Sequence, residues 1–325
     1  MTISYSALMA VAAAGLAVAQ NTEWDSLMGR AGRAELGKNY AEAAALFRQA
    51  RELAGHFSPS DARRWQTDIQ LASACEQAGL TAESIRTYRE AMDLIKSAVG
   101  QRNRTYAEAE ASLGTTLNSI GEFASAESRL GEALEILLHV GHIDPVEIAM
   151  LQSRLGESLL GLHKHADAER MVETALPELQ KGGAEPIEIA IAVNNLGLIR
   201  QGQHRYDESM RLLTASVEMI ETRYGADDPL MLRPLNNLAV GYEQTGRDAE
   251  ADATFHRAQA ICDRYLPPTH PSHTALLANY AAFLRHTGEK SRAKAVEEEA
   301  RSLRRENART EGLGLTVDVS AFQRR

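Results

Sequence analysis

Small, large apolar and polar positions recur along this chain with a period far longer than a helix turn. A first stripe of small residues falls at Ala43, Ser84, Ala126, Ala168, Ser209, Ala251 and Ala293, spaced by 41, 42, 42, 41, 42 and 42 residues. Seven residues further on runs a second stripe of Ala50, Ala91, Ala133, Ala175, Ser216, Ala258 and Ala300. That offset returns to the same face after two turns, so both stripes mark one side of one helix per repeat. Three residues before the second stripe stand Phe47, Tyr88, Leu130, Val172, Leu213 and Phe255. The seventh copy has Glu297 there, which predicts a solvated terminal face.

A second helix per repeat precedes each stripe. It carries a Leu followed by a small residue: Leu71-Ala72, Leu113-Gly114, Leu155-Gly156, Leu196-Gly197 and Leu238-Ala239, with Tyr280-Ala281 last. Turn positions follow at Gly79, Gly121, Gly246 and Gly288, with His163 and His204 standing in the fourth and fifth repeats. Pro145, Pro186, Pro229 and Pro271 recur at helix starts, where a missing N–H costs nothing; Asp144, Glu185, Asp228 and His270 precede them. Pro234 conflicts with this order, falling inside a predicted helix that it should bend or delay. The pattern predicts an all-α, right-handed solenoid of about seven helical hairpins. No single hairpin could bury its apolar face alone, whereas a stack shares one core.

Composition agrees with this reading. Of 325 residues, 44% are hydrophobic and only 5% aromatic, a balance that favours helices over strands. Net charge is −9; the segment 301–325 contributes +3, leaving −12 on the rest. An acidic body argues against nucleic acid and anionic membranes as partners. Cys75 and Cys262 are too far apart in sequence to form a disulfide framework or a metal cluster, and read as buried apolar residues.

The two ends differ from the array. Ala7–Ala19 is an uncharged apolar run of 13 residues, too short to span a bilayer, ending in the small-x-small pattern Ala17-Val18-Ala19. This reads as a signal peptide over 1–19 with a mature start at Gln20, although no Lys or Arg precedes the run. The other reading is an apolar helix that caps the array. Expected location follows: periplasmic or secreted, with cytoplasmic the alternative. The array is expected over 20–304 and a tail over 305–325. In that tail Leu315, Val317, Val319 and Ala321 alternate with polar residues, a strand-like period in a helical protein. Disorder, docking along the array, and addition to another protein's sheet all remain open for it.

Catalytic signals are missing from the sequence. There is no HExxH, no GxSxG and no phosphate loop, and Gly312-Leu313-Gly314 lacks the rest of a dinucleotide motif. His163 and His165, two apart, do not share a helix face, and His270 and His273 flank Pro271 at a helix start; both sets occupy turns, and neither reads as a metal site. Met171, Met210, Met219 and Met231 read as core fillers. Neither an enzyme nor a cofactor or metal is expected.

Phrases such as DPLMLRPLNNLAVGYEQTGRDAEADATFHRAQAI and HPSHTALLANYAAFLRHTG resemble the tetratricopeptide repeat family, in its long-repeat branch typified by kinesin light chains. The resemblance spans about 22–304 and, with the amino-terminal run, suggests an exported bacterial member. It implies that residues two before and two after each Leu face a concave groove. These are Ile69/Ser73, Ala111/Thr115, Ser153/Glu157, Asn194/Leu198, Asn236/Val240 and Ala278/Ala282, none of them Lys or Arg. A basic clamp for a terminal carboxylate, as in chaperone-binding relatives, is therefore not expected. The next row adds Glu76, Asn118, Gln201, Glu243 and Arg285.

Amide side chains both donate and accept, which suits a peptide backbone. Asn194, Asn236, Asn118, Gln201, Glu243 and Arg285 are thus candidate peptide-binding residues. Asn195, Asn237 and Asn279 are candidates too, with bonds to loop carbonyls between repeats as their other reading. The implied function is a non-enzymatic scaffold or adaptor for a protein or peptide segment, basic or neutral given the acidic body. The alternative is a regulatory peptide sensor whose tail docks or is displaced.

Overall fold

The computed structural model describes residues 5–141 and 143–311, the side chains of 5–19, 307, 308, 310 and 311 aside. Two compact units divide at Gln101. The first contains α1 (Tyr5–Leu36), α2 (Tyr40–Ala54), α3 (Ala62–Gln77) and α4 (Thr81–Val99). The second contains α5 (Arg104–Ser119), α6 (Phe123–Val140), α7 (Pro145–Gly161), α8 (His165–Lys181), α9 (Pro186–Gly202) and α10 (Tyr206–Tyr224). A single 3-10 turn, Pro229–Met231, then leads into α11 (Leu232–Gln244), α12 (Asp248–Tyr265), α13 (Pro271–His286) and α14 (Lys290–Glu311). Each odd-numbered helix pairs with the even-numbered helix that follows it into a hairpin, seven in all among the described residues.

The stripes explain the pairing. All fourteen small residues of the two stripes are at most 1% exposed, which lets neighbouring helices approach closely. Gly156 shows how closely: a Cβ there would lie 2.5 Å from Val172 Cγ2 on α8. Gly114 and Gly197 stand in the same relation to Leu130 and Leu213, so one contact pattern closes three successive hairpins. Pro234 is the third residue of α11, and the 3-10 turn before it shows the delayed start that its missing N–H imposes.

Turn geometry is equally periodic. Gly79, Gly121, Gly246 and Gly288 have φ between 71° and 84°, and Lys38, His163 and His204 hold the equivalent place at 59°, 59° and 60°. An L side chain in that region carries a cost that glycine avoids. His163→Gly is accordingly expected to raise the unfolding free energy by about 1 kcal/mol or less, once the extra freedom of the unfolded chain is subtracted. Urea titration of the two proteins checks this.

In the first unit, α1 is fixed by Trp24, whose Nε1 donates to Thr67 Oγ1 at 3.0 Å, and by Asn21, which accepts from Arg63 at 2.8 Å. Arg63 also lies 3.8 Å over the Phe57 ring. These contacts begin just after the expected cleavage point, although the helix itself runs unbroken from Tyr5 across Ala19. At the other end α14 extends to Glu311, beyond the expected boundary at 304. The strand-like segment 315–321 lies outside the described residues. Among the described residues no helix is long and apolar enough to cross a membrane.

Candidate functional site

In the second unit the first helices of successive hairpins form a row: α5 packs on α7, α7 on α9, α9 on α11 and α11 on α13. The second helices make no comparable row, so the first-helix side is the closed, inward face. A direct sign of that curvature is an ion pair that skips a hairpin. Arg233 on α11 reaches over α9 to Glu157 on α7.

Structure sorts the nine predicted residues into different roles. Asn118 is buried, donating to the Arg154 carbonyl at 3.0 Å and accepting from Ser158 Oγ at 2.7 Å. Asn195 is fully buried and donates to the Ser153 carbonyl at 3.2 Å, a bond between first helices rather than to a loop. Asn194 is buried too, contrary to an open groove position; it accepts from Asn237 Nδ2 at 3.0 Å. These four amides join α5 to α7, α7 to α9 and α9 to α11. Gln201 donates to Gln244 at 2.7 Å and serves the same joint further along.

Arg285 faces Glu297 of α14 as an ion pair, so Glu297 is turned inward, 18% exposed, rather than solvated as its sequence position predicts. Glu243 is partly buried, and burial raises its carboxyl pKa, with His286 opposing and Asp248 adding to the rise. Asn279 is partly buried on α13.

Asn236 differs from all of these. It is partly buried, and its Oδ1 is closed off from water without any hydrogen-bond partner in the protein. A buried acceptor left in that state is unfavourable by roughly 1–3 kcal/mol, which turning the half-buried amide toward a donor supplied from outside would relieve.

The charges on this face were missed by a reading based on one row of positions. Arg154 donates to Glu188 at 2.9 Å, linking α7 to α9. Arg233 and Glu157 form the second pair, and burial, with Arg154 alongside, pushes the Arg233 guanidinium down to about 10. Glu157 belongs to the predicted row, but its partner stands five residues before Leu238, outside that row. Tyr280, which replaces the usual Leu, places its hydroxyl between α12 and α14. It donates to Asp252 at 3.0 Å and accepts from Arg292 at 2.6 Å, and burial raises its phenol to about 12. Among the described residues no three His, Cys, Asp or Glu side chains are grouped to hold a metal ion.

Fold and face together define an all-α solenoid of helical hairpins with an amide-rich inner surface. The tetratricopeptide repeat profile matches residues 65–138 and 188–255, and the chain carries tetratricopeptide repeats. No curated protein matches its sequence. Solved structures with the same fold include a Rap protein complexed with Competence and Sporulation Factor, 11% identical. That match covers 89% of this chain and 99% of the other, with a TM-score of 0.56. The Rap conjugation gene regulator of plasmid pLS20, in complex with the Phr* peptide, is 13% identical over 90% of this chain and 98% of its own, TM-score 0.56. A tetratricopeptide repeat protein from Parabacteroides merdae is 16% identical over 90% and 98%, TM-score 0.51.

Proposed function

We propose that this chain is a non-enzymatic scaffold or adaptor that holds a protein or peptide segment against the first-helix face of its second unit. The unpartnered Oδ1 of Asn236 carries this reading: it is an acceptor on the inward face with no partner in the fold, whereas Asn118, Asn194, Asn195 and Asn237 all have partners in neighbouring first helices. A backbone N–H of a docked segment would complete it. The acidic body favours a basic or neutral segment, held less tightly as salt rises. Export with a mature start at Gln20 fits the contacts that begin at Asn21, and the intact mass of the mature protein tests it.

Asn236→Ala separates binding from folding. Removing an unsatisfied acceptor should leave the melting temperature unchanged or slightly higher, because no bond in the fold is lost. Affinity for a peptide selected on the wild-type chain should fall roughly fivefold or more, the worth of one well-made hydrogen bond. Equal affinity for both proteins would remove Asn236 from the site.

A sensor is the second reading, favoured by the regulator of pLS20 that shares this fold and is seen with a peptide. In that reading the segment after Glu311 relays the binding event, and deleting 312–325 would abolish the output while leaving peptide affinity intact.

A further inference from the structure

Arg233 and Glu157 come from hairpins two apart and meet over α9, but they are unequally placed. Only 11% of the Glu157 side chain is exposed, against 47% of Arg233. A carboxylate that deep requires a cation beside it, since stripping the counter-charge from a buried ion is far more costly than the pair is stabilising. The half-exposed Arg233 side chain can swing out on its flexible stem and give its guanidinium back the hydration that burial beside Glu157 removes. One member of the pair is therefore exchangeable and the other is fixed.

The surroundings point the same way. Arg154 is held by Glu188 and cannot take over Glu157 without abandoning that partner. It also lies close enough to Arg233 to disfavour the guanidinium's charge. Asn236 stands one turn after Arg233 on α11, on the same side of the helix, with its unpartnered acceptor.

We infer that Glu157 is the seat for a basic side chain of the bound segment, and that Arg233 fills this seat in the free protein. The inference rests on the first-helix face being the binding surface. Replacing one cation by another keeps the floor balanced, with Arg154 on Glu188 and the incoming Lys or Arg on Glu157. An acidic segment drawn to Arg233 would instead leave Glu157 without its counter-charge. The same segment would offer a backbone N–H to Asn236, so the recognised element is a basic side chain with a free amide close by.

Random dodecapeptides displayed on phage and panned on the full chain test this. The proteins compared are wild type, Arg233→Ala, Arg233→Lys and Glu157→Gln, each first shown by circular dichroism to melt as a folded protein. Wild type should enrich peptides with Arg or Lys at one fixed position. Such a peptide should bind Arg233→Ala about fivefold more tightly, because its competitor is gone, and Arg233→Lys much as wild type. Glu157→Gln should still bind peptides but lose the basic preference. Enriched peptides without a basic position, or with one that persists in Glu157→Gln, would overturn the seat while leaving the surface in place. Weaker binding to Arg233→Ala would make Arg233 a contact rather than a placeholder and overturn its role. If wild type enriches nothing, the binding surface itself is wrong and the seat falls with it.

Discussion

Phe255→Ala is expected to destabilise the second unit by about 3–5 kcal/mol, the usual cost of emptying a large aromatic site in a packed core. Phe255 is 1% exposed, at the large position of the first-described pattern, and its ring lies 5.3 Å from Tyr280 and 5.6 Å from Phe283 between centroids. It therefore touches the hairpin on which it sits and the one that follows. Stability in a repeat array is the sum of hairpin terms and neighbour terms, so this cavity should loosen α11 to α14 before the rest. Amide hydrogen exchange should show faster exchange in 232–300 with the first unit little changed. Uniform loss across the chain would mean that the array unfolds as one block.

Arg129→Ala should cost about 3 kcal/mol near neutral pH, and the cost should depend on pH. Arg129 donates to Glu110 at 2.9 Å, and the Glu110 side chain is wholly buried. Burial already raises the Glu110 carboxyl pKa above its ordinary value, with Arg129 holding it back. A carboxyl whose folded pKa lies above the unfolded one contributes stability below the unfolded value and loses it as pH rises through the folded value. Removing Arg129 raises the folded pKa further. The variant's deficit should be large at neutral pH and shrink on acidification toward the ordinary carboxylate range. Arg129→Met with Glu110→Gln should recover most of the loss, since no charge is then buried alone. A deficit independent of pH would show that Arg129 acts through packing alone.

Much of this architecture can be read from residue order. Small residues at Ala126, Ala168 and Ser209, or Gly at 114, 156 and 197, are demanded afresh by each hairpin's own packing, so they recur and are visible as a period. His163 and His204 stand where the pattern places a turn glycine and do adopt the left-handed conformation; Lys38 does so with no residue type to signal it.

The inner face is less legible because its contacts run between repeats. Asn195 and Asn237 occupy the same place in the phrase Asn-Asn-Leu, yet one meets a backbone carbonyl and the other a side chain. What differs is the residue on the preceding first helix, Ser153 in one case and Asn194 in the other. The Arg233–Glu157 pair is hidden more deeply still. It joins hairpins two apart, and only the curvature of the stack makes the two side chains neighbours.

Site-specific photo-crosslinking in the native compartment shows whether a partner segment lies on the first-helix face of the second unit. A benzoylphenylalanine at Val240, on α11 beside Asn236, is compared with one at Ala253, exposed on the second helix α12. Position 240 should give a discrete protein or peptide adduct, reduced by Asn236→Ala, and position 253 none. Adducts from 253 alone, or equally from both positions and insensitive to Asn236→Ala, would contradict that placement.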